Sequence, residues 1–493
     1  MPEKRTRSSL TDIRRFCVHP AVVTFAILSL FAWVTLNGRL LTAYDDYSHW
    51  AAIVRCMQTN QRLPNFLDAE YIIFQTYPPH AACGIYYLCN ALGLNDGSYL
   101  ACQAIIKCSG IVALFLFAEK PAKRTSAFFA VLCAALFLSF QPGNSLQVDA
   151  LLASYALASL AAVYVWRKEL NKHFWEILLL VSAILLTKNS GIFLALLVIL
   201  VFWLYSKKHA VDFKNTLYLL GTVLLLFILW RKHAEYVFVN SKHSPHAVSL
   251  GVYWLHLRQN LPTLLQTLGL FLQRTFSVES NSAIYSLLAV LLLDLATPAG
   301  RKKWHSALFL FGVFVVYSIS LLGVYLLSMS NRELTGQNMK DYGRYIVPCA
   351  MFLFAMAGCK IHAAAVSGMQ NRLQRIAVLG ACVLLGVSAW QYHQLGSYDR
   401  FWREYKYAEN FINTTRNLQK EHNVPQHASV LVVYPDDTQQ YNFSGYIGRY
   451  VFMPSAYSFL SETEWSNAAS DTFPADGTYV VNLAENTVEM YQR

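Results

Sequence analysis

Charge is scarce in this chain. Asp, Glu, Lys and Arg make up 14% of 493 residues, where soluble domains carry about a quarter. Set against 55% hydrophobic residues, that shortage excludes an ordinary soluble domain. Acids are scarcer than bases, 29 against 40, for a net charge of +11. The excess does not point to nucleic acid: the bases sit in short loops between apolar runs, and no basic helix carries interleaved aromatics in a soluble segment. CxxC pairs and zinc-type Cys/His spacings are missing, although the chain has ten cysteines. Most lie in apolar runs, where a thiol behaves as a small hydrophobe. Cys56, Cys83 and Cys89 fall in the first long loop, where one disulfide among them is an option if that loop is extracytoplasmic. No internal repeat occurs, which argues against transporters built from inverted repeats. No small-residue cleavage site follows the first apolar run before Asn37-Gly38-Arg39, so that run is expected to be a retained signal-anchor helix.

What the chain has in abundance is apolar runs of roughly 15 to 24 residues, close to the length that spans a bilayer. They fall at 22–36, 99–118, 126–140, 150–166, 174–187, 191–205, 215–230, 283–298, 306–329, 344–358 and 376–392. The segment 78–94 is apolar too. Counted as a span, it places Lys120, Lys123, Arg124 and each later basic loop outside. Counted as a helix lying at the interface, it collects Arg14/Arg15, Lys120/Lys123/Arg124, Arg167/Lys168/Lys172, Lys207/Lys208/Lys214, Arg301/Lys302/Lys303 and Lys360/Arg372/Arg375 on one side. The positive-inside rule favours the second count, and Pro78-Pro79 suits a helix start. The expected fold class is therefore an all-α polytopic membrane bundle of about eleven transmembrane helices, N-terminus inside, with a small C-terminal extracytoplasmic α/β domain. Residues 1–392 form the membrane module, with outside loops at 37–98 and 231–282, and 393–493 form the outer domain. In that domain the patterning predicts a helix over 398–421 and strands over 428–434, 449–452 and 478–483.

The polar residues that remain are clustered. Tyr44-Asp45-Asp46-Tyr47-Ser48-His49-Trp50 follows the first apolar run directly. Ionisable groups at a membrane edge are a functional hypothesis by default. If this stretch is helical, Asp45/His49 and Asp46/Trp50 are spaced i,i+4 and share one face. The plainer reading of a single Asp there is a helix N-cap. Two adjacent carboxylates also repel, which raises one pKa toward working pH.

With this topology the acidic pair, Tyr77-Pro78-Pro79-His80 and Arg344-Tyr345 with Pro348 together resemble the GT-C superfamily of membrane glycosyltransferases. Those enzymes carry an acidic motif in the first outside loop, then juxtamembrane helices and a many-helix bundle, and many have an outer C-terminal domain. The resemblance implies transfer of a sugar from a polyprenyl-phosphate donor to a glycan, glycolipid or protein acceptor on the outer face, here expected to be that of a bacterial inner membrane. Such a transfer needs a base for the acceptor hydroxyl and cations for the phosphate. Asp45 or Asp46 supplies the base; either is alternatively a ligand for a divalent metal ion. His49 shares the proton relay or the metal. Trp50 is a sugar platform or an interfacial anchor. Tyr77, Lys188, Lys242, His243, His246, Arg332, Glu333 and Arg344 are the substrate-binding candidates, the cations among them lying against the positive-inside trend. For Lys188 the simpler alternative is a snorkelling side chain. Asp149 has no assignable role, and Lys107, in mid-span, is expected to face the bundle interior. Competing readings are a flippase for lipid-linked glycans and a polymerase or ligase with a diphosphate donor.

Overall fold

The computed structural model describes residues 10–491 except 70, 94, 119–121, 141–144, 210–212, 239–249, 297–304, 368–371, 396–397, 426, 437–440, 454 and 468–474. The chain begins with α1 (Leu10–Cys17) and α2 (Pro20–Leu36), then a wide turn over 46–50, α3 (Ala51–Asn60) and α4 (His80–Leu92). The bundle continues with α5 (Asp96–Val112), α6 (Lys123–Ser139), α7 (Asp149–Val165), α8 (Phe174–Thr187), α9 (Ile192–Lys208) and α10 (Phe213–Val237). Next come α11 (Leu250–Asn260), α12 (Leu264–Thr275), α13 (Asn281–Leu295), α14 (His305–Ser328), the short α15 (Tyr342–Tyr345), α16 (Val347–Val366) and α17 (Arg372–Leu395). The C-terminal part holds α18 (Tyr398–Glu421), β1 (Ser429–Tyr434), α19 (Tyr441–Phe452), β2 (Ala456–Ser461), α20 (Glu462–Ser466), β3 (Tyr479–Asn482) and β4 (Thr487–Met490).

All eleven apolar runs are helical over most of their described residues. Among the described residues, seven helical segments are long and apolar enough to cross a membrane, and α2, α7 and α8 are apolar but shorter. The chain is a multi-pass membrane protein, and the expected count of eleven is not reached by length and composition. The outer surfaces of α10 and α14 leave Leu224, Leu225, Ile228, Leu308, Val316 and Ile319 exposed, as lipid-facing surfaces do. α7 and α16 form the buried centre. Hydrophobic burial drives helix association little in lipid, so close approach through small residues matters more. Gly110 of α5 illustrates this: a Cβ there would collide with the Ser154 carbonyl of α7.

The C-terminal domain is an α/β unit with strand order β2-β1-β3-β4. β1 runs parallel to β2 and β3, and β4 pairs antiparallel with β3. The strand expected over 449–452 is instead the last turn of α19. Its apolar run is short enough to suit either state, and Tyr446, Ile447, Tyr450 and Val451 form a helical stripe against the bundle. The second strand, β2, begins at Ala456, four positions after the end of α19.

That stripe is what joins the domain to the membrane module. Tyr450 donates to Asp96 Oδ1 at 2.6 Å, and its ring takes the Arg55 guanidinium at 4.8 Å and the Tyr47 ring edge-on at 5.4 Å. Arg55 also donates to the Val451 carbonyl at 3.0 Å, and Tyr71 to that of Ser455 at 2.7 Å. The cysteines are free thiols. Cys56 faces Met453 at 3.6 Å and Cys89 faces Cys102 at 3.5 Å, so that pairing within the first loop does not occur.

Candidate functional site

The acidic motif folds as a wide turn in which the Ala51 N–H reaches the Asp46 carbonyl, an i→i+5 bond. The wider turn breaks the i,i+4 register on which a shared face depended. Asp45 and Asp46 therefore point to different partners, and neither bonds to His49.

Asp46 is fully buried. Its Oδ1 accepts from the Leu146 backbone N–H at 2.9 Å and from Ser145 Oγ at 3.2 Å, while Oδ2 has no hydrogen-bond partner among the described residues. Gln103 Nε2 holds the Leu146 carbonyl at 2.8 Å from the other side. Burial, with Asp45 adding repulsion, raises the Asp46 carboxyl well above its ordinary range despite those bonds. Asp46 is thus a staple for the segment that leads into α7, with burial favouring its protonated form.

Asp149 opens α7, where the helix N-terminus favours a carboxylate. Lys188 Nζ sits 2.8 Å from Asp149 Oδ1, both side chains being almost wholly buried. Lys188 is held by a tight turn between α8 and α9 that needs Gly191, because a Cβ there would strike the Ile184 carbonyl. Burial first, then the nearby Arg344 charge, lower the Lys188 pKa, with Asp149 and Asp45 opposing. Arg344 lies in α15, just ahead of Pro348 at the start of α16. Its Nη1 is ion-paired with Asp45, and its Nε stands 3.5 Å from Asp149 Oδ2 without a hydrogen bond. Burial works toward raising the Asp45 pKa, but the charge and hydrogen bond of Arg344, with Lys188, outweigh it and hold Asp45 below its ordinary value. The Tyr345 ring underlies both cations, 5.0 Å from Lys188 Nζ and 4.9 Å from Arg344 Cζ.

The loop carrying Arg344 is fastened in turn. Arg274 donates to the Asn338 carbonyl at 2.9 Å and pairs with Glu279 at 3.1 Å. Tyr342 OH lies 3.2 Å from both Thr275 Oγ1 and Ser280 Oγ.

A cavity of about 400 Å³ opens beside this network. Apolar side chains of α9, α10 and α14, such as Phe193, Phe227, Leu321 and Val324, form most of its wall; Asp149 and Lys188 are its charged lining residues, with Tyr77 and Tyr345 beside them. An apolar slot with a few convergent polar groups is the usual form of a ligand site.

The structure thus brings together Asp45, Lys188 and Arg344, which sequence patterning singled out, and adds Asp149 and Tyr345. An acid opening a helix beside a run of polar residues was visible in the sequence, but its partner 39 positions away was not. His49 is fully buried in an aromatic box, with ring centroids of Trp50, Phe74 and Tyr77 at 4.5, 5.5 and 5.4 Å. Trp50 is buried and stacked against Tyr77, not exposed as a platform or an interfacial anchor. Glu333 accepts from Ser330 N at 2.9 Å and Oγ at 3.0 Å, closing its own turn, and Arg332 is exposed beside it; neither pairs with the cluster. Lys242, His243 and His246 lie outside the described residues. Lys107 faces the bundle interior, its Nζ 4.8 Å from the Phe137 ring.

A divalent ion needs several oxygens converging on it. Asp45 is committed to Arg344 and Asp46 offers one free oxygen, and no group of three His, Cys, Asp or Glu side chains suited to a metal occurs among the described residues. Among the described residues, Asp45 and Asp46 therefore do not present the convergent oxygens that a metal centre needs.

No protein-family model matches the chain, and no curated protein matches it. Among solved structures it is similar to ArnT from Cupriavidus metallidurans bound to undecaprenyl phosphate, at 14% identity over 90% of this chain and 86% of that one, with a TM-score of 0.48. The apo form of the same protein is similar at 14% identity over 89% and 85% of the two chains, with a TM-score of 0.49.

Proposed function

We propose that this chain is a GT-C-type membrane glycosyltransferase that moves a sugar from a polyprenyl-phosphate donor to an envelope glycan, glycolipid or protein acceptor at the outer face of the membrane. One observation carries the reading: a largely apolar cavity between spanning helices has Lys188 on its wall, with Arg344 one ion pair behind it. A lipid tail needs the first feature and its phosphate needs the second. A soluble substrate needs no apolar slot between membrane helices, and a plain packing defect has no reason to hold buried cations.

In the reaction the acceptor oxygen attacks the anomeric carbon as the bond from that carbon to the donor phosphate oxygen breaks. The acceptor loses its proton to a carboxylate, and the polyprenyl phosphate leaves with the added negative charge. Lys188 and Arg344 stabilise that charge, an effect worth several kcal/mol in a water-poor site. Attack from the face opposite the phosphate inverts the anomeric configuration. Asp45 is the base: it is ionised and tied to Arg344, whereas Asp46 is neutral and tied to backbone. Arg344 also couples binding to basicity. When the donor phosphate draws on the guanidinium, Asp45 loses part of the field that depresses its pKa and becomes a better proton acceptor. Asp46 acts at a distance by fixing Leu146 three residues ahead of Asp149.

Mass spectrometry of polyprenyl phosphates and envelope glycans in a deletion strain tests the assignment. The expected result is an accumulated lipid-phosphate sugar together with a glycan lacking that sugar. Unchanged lipid and glycan pools would remove it.

A further inference from the structure

The loop that delivers Arg344 to the site has an unusual backbone. Asn338, Met339 and Asp341 hold φ of +48°, +58° and +59°, three of the seven non-glycine residues with positive φ among the described residues. All three fall within four positions, just ahead of Arg344. Asn and Asp enter this left-handed region readily, but an ordinary side chain such as Met rarely does. Such a conformation persists only where its surroundings impose it, and residues of this kind gather at functional sites. Here the imposing groups are identifiable. Arg274, in the last turn of α12, donates to the Asn338 carbonyl from Nε at 3.1 Å and from Nη2 at 2.9 Å. Its Nη1 meets Glu279 Oε1 at 3.1 Å, and the Glu279 side chain covers Gly343, where a Cβ would lie 3.4 Å from it. From the other side Tyr325 OH donates to the Lys340 carbonyl at 2.7 Å, and the Met339 N–H bonds to the Leu334 carbonyl at 2.8 Å. The Asp341 carbonyl then accepts from the N–H groups of Arg344 at 3.0 Å and Tyr345 at 3.1 Å, which starts α15.

Arg344 needs such a support. The carboxylates nearest its side chain are Asp45, Asp149 and, at 3.9 Å, Asp341. Asp149 is shared with Lys188, and in the reaction above the donor phosphate competes for the guanidinium. Contacts that the reaction exchanges cannot also fix the residue, so its placement falls to the backbone. We propose that Arg274 is a positioning residue for Arg344. By holding the left-handed turn at 338–341 closed, it keeps the guanidinium between Asp45 and Asp149. Arg274 itself pairs with Glu279, away from both of those carboxylates, and it does not line the donor cavity. Its effect on transfer therefore passes through the loop. A shift of about 1 Å in a reacting group can cost roughly 100-fold in rate, so a loosened turn is enough to matter. The inference rests on the glycosyltransferase reading above.

The test uses the purified full chain, with radiolabelled polyprenyl-phosphate sugar extracted from the deletion strain as donor and the envelope glycan extract as acceptor. Rates are taken per folded molecule. Arg274→Gln removes the fork on the Asn338 carbonyl and is expected to lower transfer about tenfold or more. Arg274→Lys keeps a cation within reach of that carbonyl and is expected to retain about a third of the wild-type rate or more. In an Arg344→Met background, Arg274→Gln is expected to lower the residual rate by roughly twofold or less, since a residue that acts only through Arg344 has nothing left to act on. A second comparison isolates the backbone. Added to Arg274→Gln, Met339→Gly is expected to transfer about three times faster than Met339→Ala, because both empty the same buried space and only Gly takes positive φ freely. A wild-type rate in Arg274→Gln overturns the positioning role. So does a full tenfold loss repeated in the Arg344→Met background, or a Met339→Ala variant as fast as Met339→Gly. Each of these leaves the glycosyltransferase reading standing. A wild-type chain that transfers nothing from this donor removes that reading itself, and the positioning role with it.

Discussion

Two buried ion-pair systems sit at opposite ends of the bundle, and they are built differently. At the end away from the C-terminal domain, Lys360 of α16 meets Asp294 of α13 at 2.7 Å. Ser306 bonds both Asp294 oxygens at 2.8 Å, the Ala307 N–H adds a bond at 2.9 Å, and Lys360 returns one to Ser306 at 2.7 Å. Every oxygen of that carboxylate is occupied, and the cluster ties three helices together. The Asp45/Arg344/Asp149/Lys188 network has the same kinds of residue but is incompletely met: Arg344 Nε lacks a hydrogen bond, and Lys188 faces an open cavity. A saturated pair works as a staple. A network with two cations and unused donors beside a cavity has capacity for an anion. Lys360 is about one-third exposed whereas Lys188 is almost wholly buried, so the cavity-side network carries the larger desolvation cost and keeps donors unused beside an open space.

Substitution of the cations should separate the two systems most sharply. Lys188→Met and Arg344→Met are each expected to reduce transfer per folded molecule by roughly 100-fold or more, and to lower the thermal midpoint as well, because each leaves a buried carboxylate unpaired. Lys360→Met should leave the rate of folded protein intact. A transfer assay on membrane vesicles, normalised to folded protein, makes the comparison, and equal losses at both ends would erase the distinction.

The acidic pair offers a comparison inside the cavity-side network. Asp45→Asn is expected to cost about 100-fold in transfer, in the range of a lost general base. Asp46→Asn should stay within about tenfold, because it replaces a carboxyl that is already neutral and its Oδ1 can keep both bonds. The pH dependence carries the opposite signs. The Asp45 pKa is depressed, so the stability it contributes is present above its ordinary value near 3.8 and is lost as pH falls through the folded value. The Asp46 pKa is raised, so the folded state holds its proton as pH climbs past 3.8, and ionisation there only destabilises. Thermal midpoints measured from pH 7 down to 3 should therefore converge for wild type and Asp45→Asn at the acid end. A constant gap would mean that Asp45 is not the ionised partner of Arg344.

The smallest effect belongs to the staple. Lys360 is about one-third exposed, so leaving Asp294 without it is expected to cost about 2 kcal/mol, below the range for a fully buried pair. Replacing both with Leu should recover most of that. Urea or thermal unfolding in detergent reads it, and a double variant as unstable as the single would show that Ser306, not the ion pair, holds the helices.

The spanning segments were legible because an apolar run of that length has few alternatives to a membrane helix, and each of the eleven runs is helical. The C-terminal strands were legible where β-branched residues form a continuous apolar run, as at Ser429–Tyr434, and misread at 449–452, where an apolar stretch of four residues fits either period. The candidate site was half legible. Asp45, Lys188 and Arg344 stood out because charge near lipid is costly and so draws attention. Asp149 was noted without a role, since its meaning depends on Lys188. Trp50 and His49 were read as if exposed, because burial of the first loop beneath α19 depends on tertiary contacts across some 400 positions of sequence.

By itself the sequence determined that this is a helical membrane protein with a separate α/β tail and with polar groups collected near helix ends, because hydropathy and charge act locally on each segment. Only the tertiary structure decided which of two adjacent carboxylates is ionised. Asp45 and Asp46 have the same intrinsic acidity and nearly the same neighbours in sequence. One meets a guanidinium 299 positions away and the other a backbone amide 100 positions away. A pKa is set by the charges and dipoles nearest in space, and those are supplied by the fold.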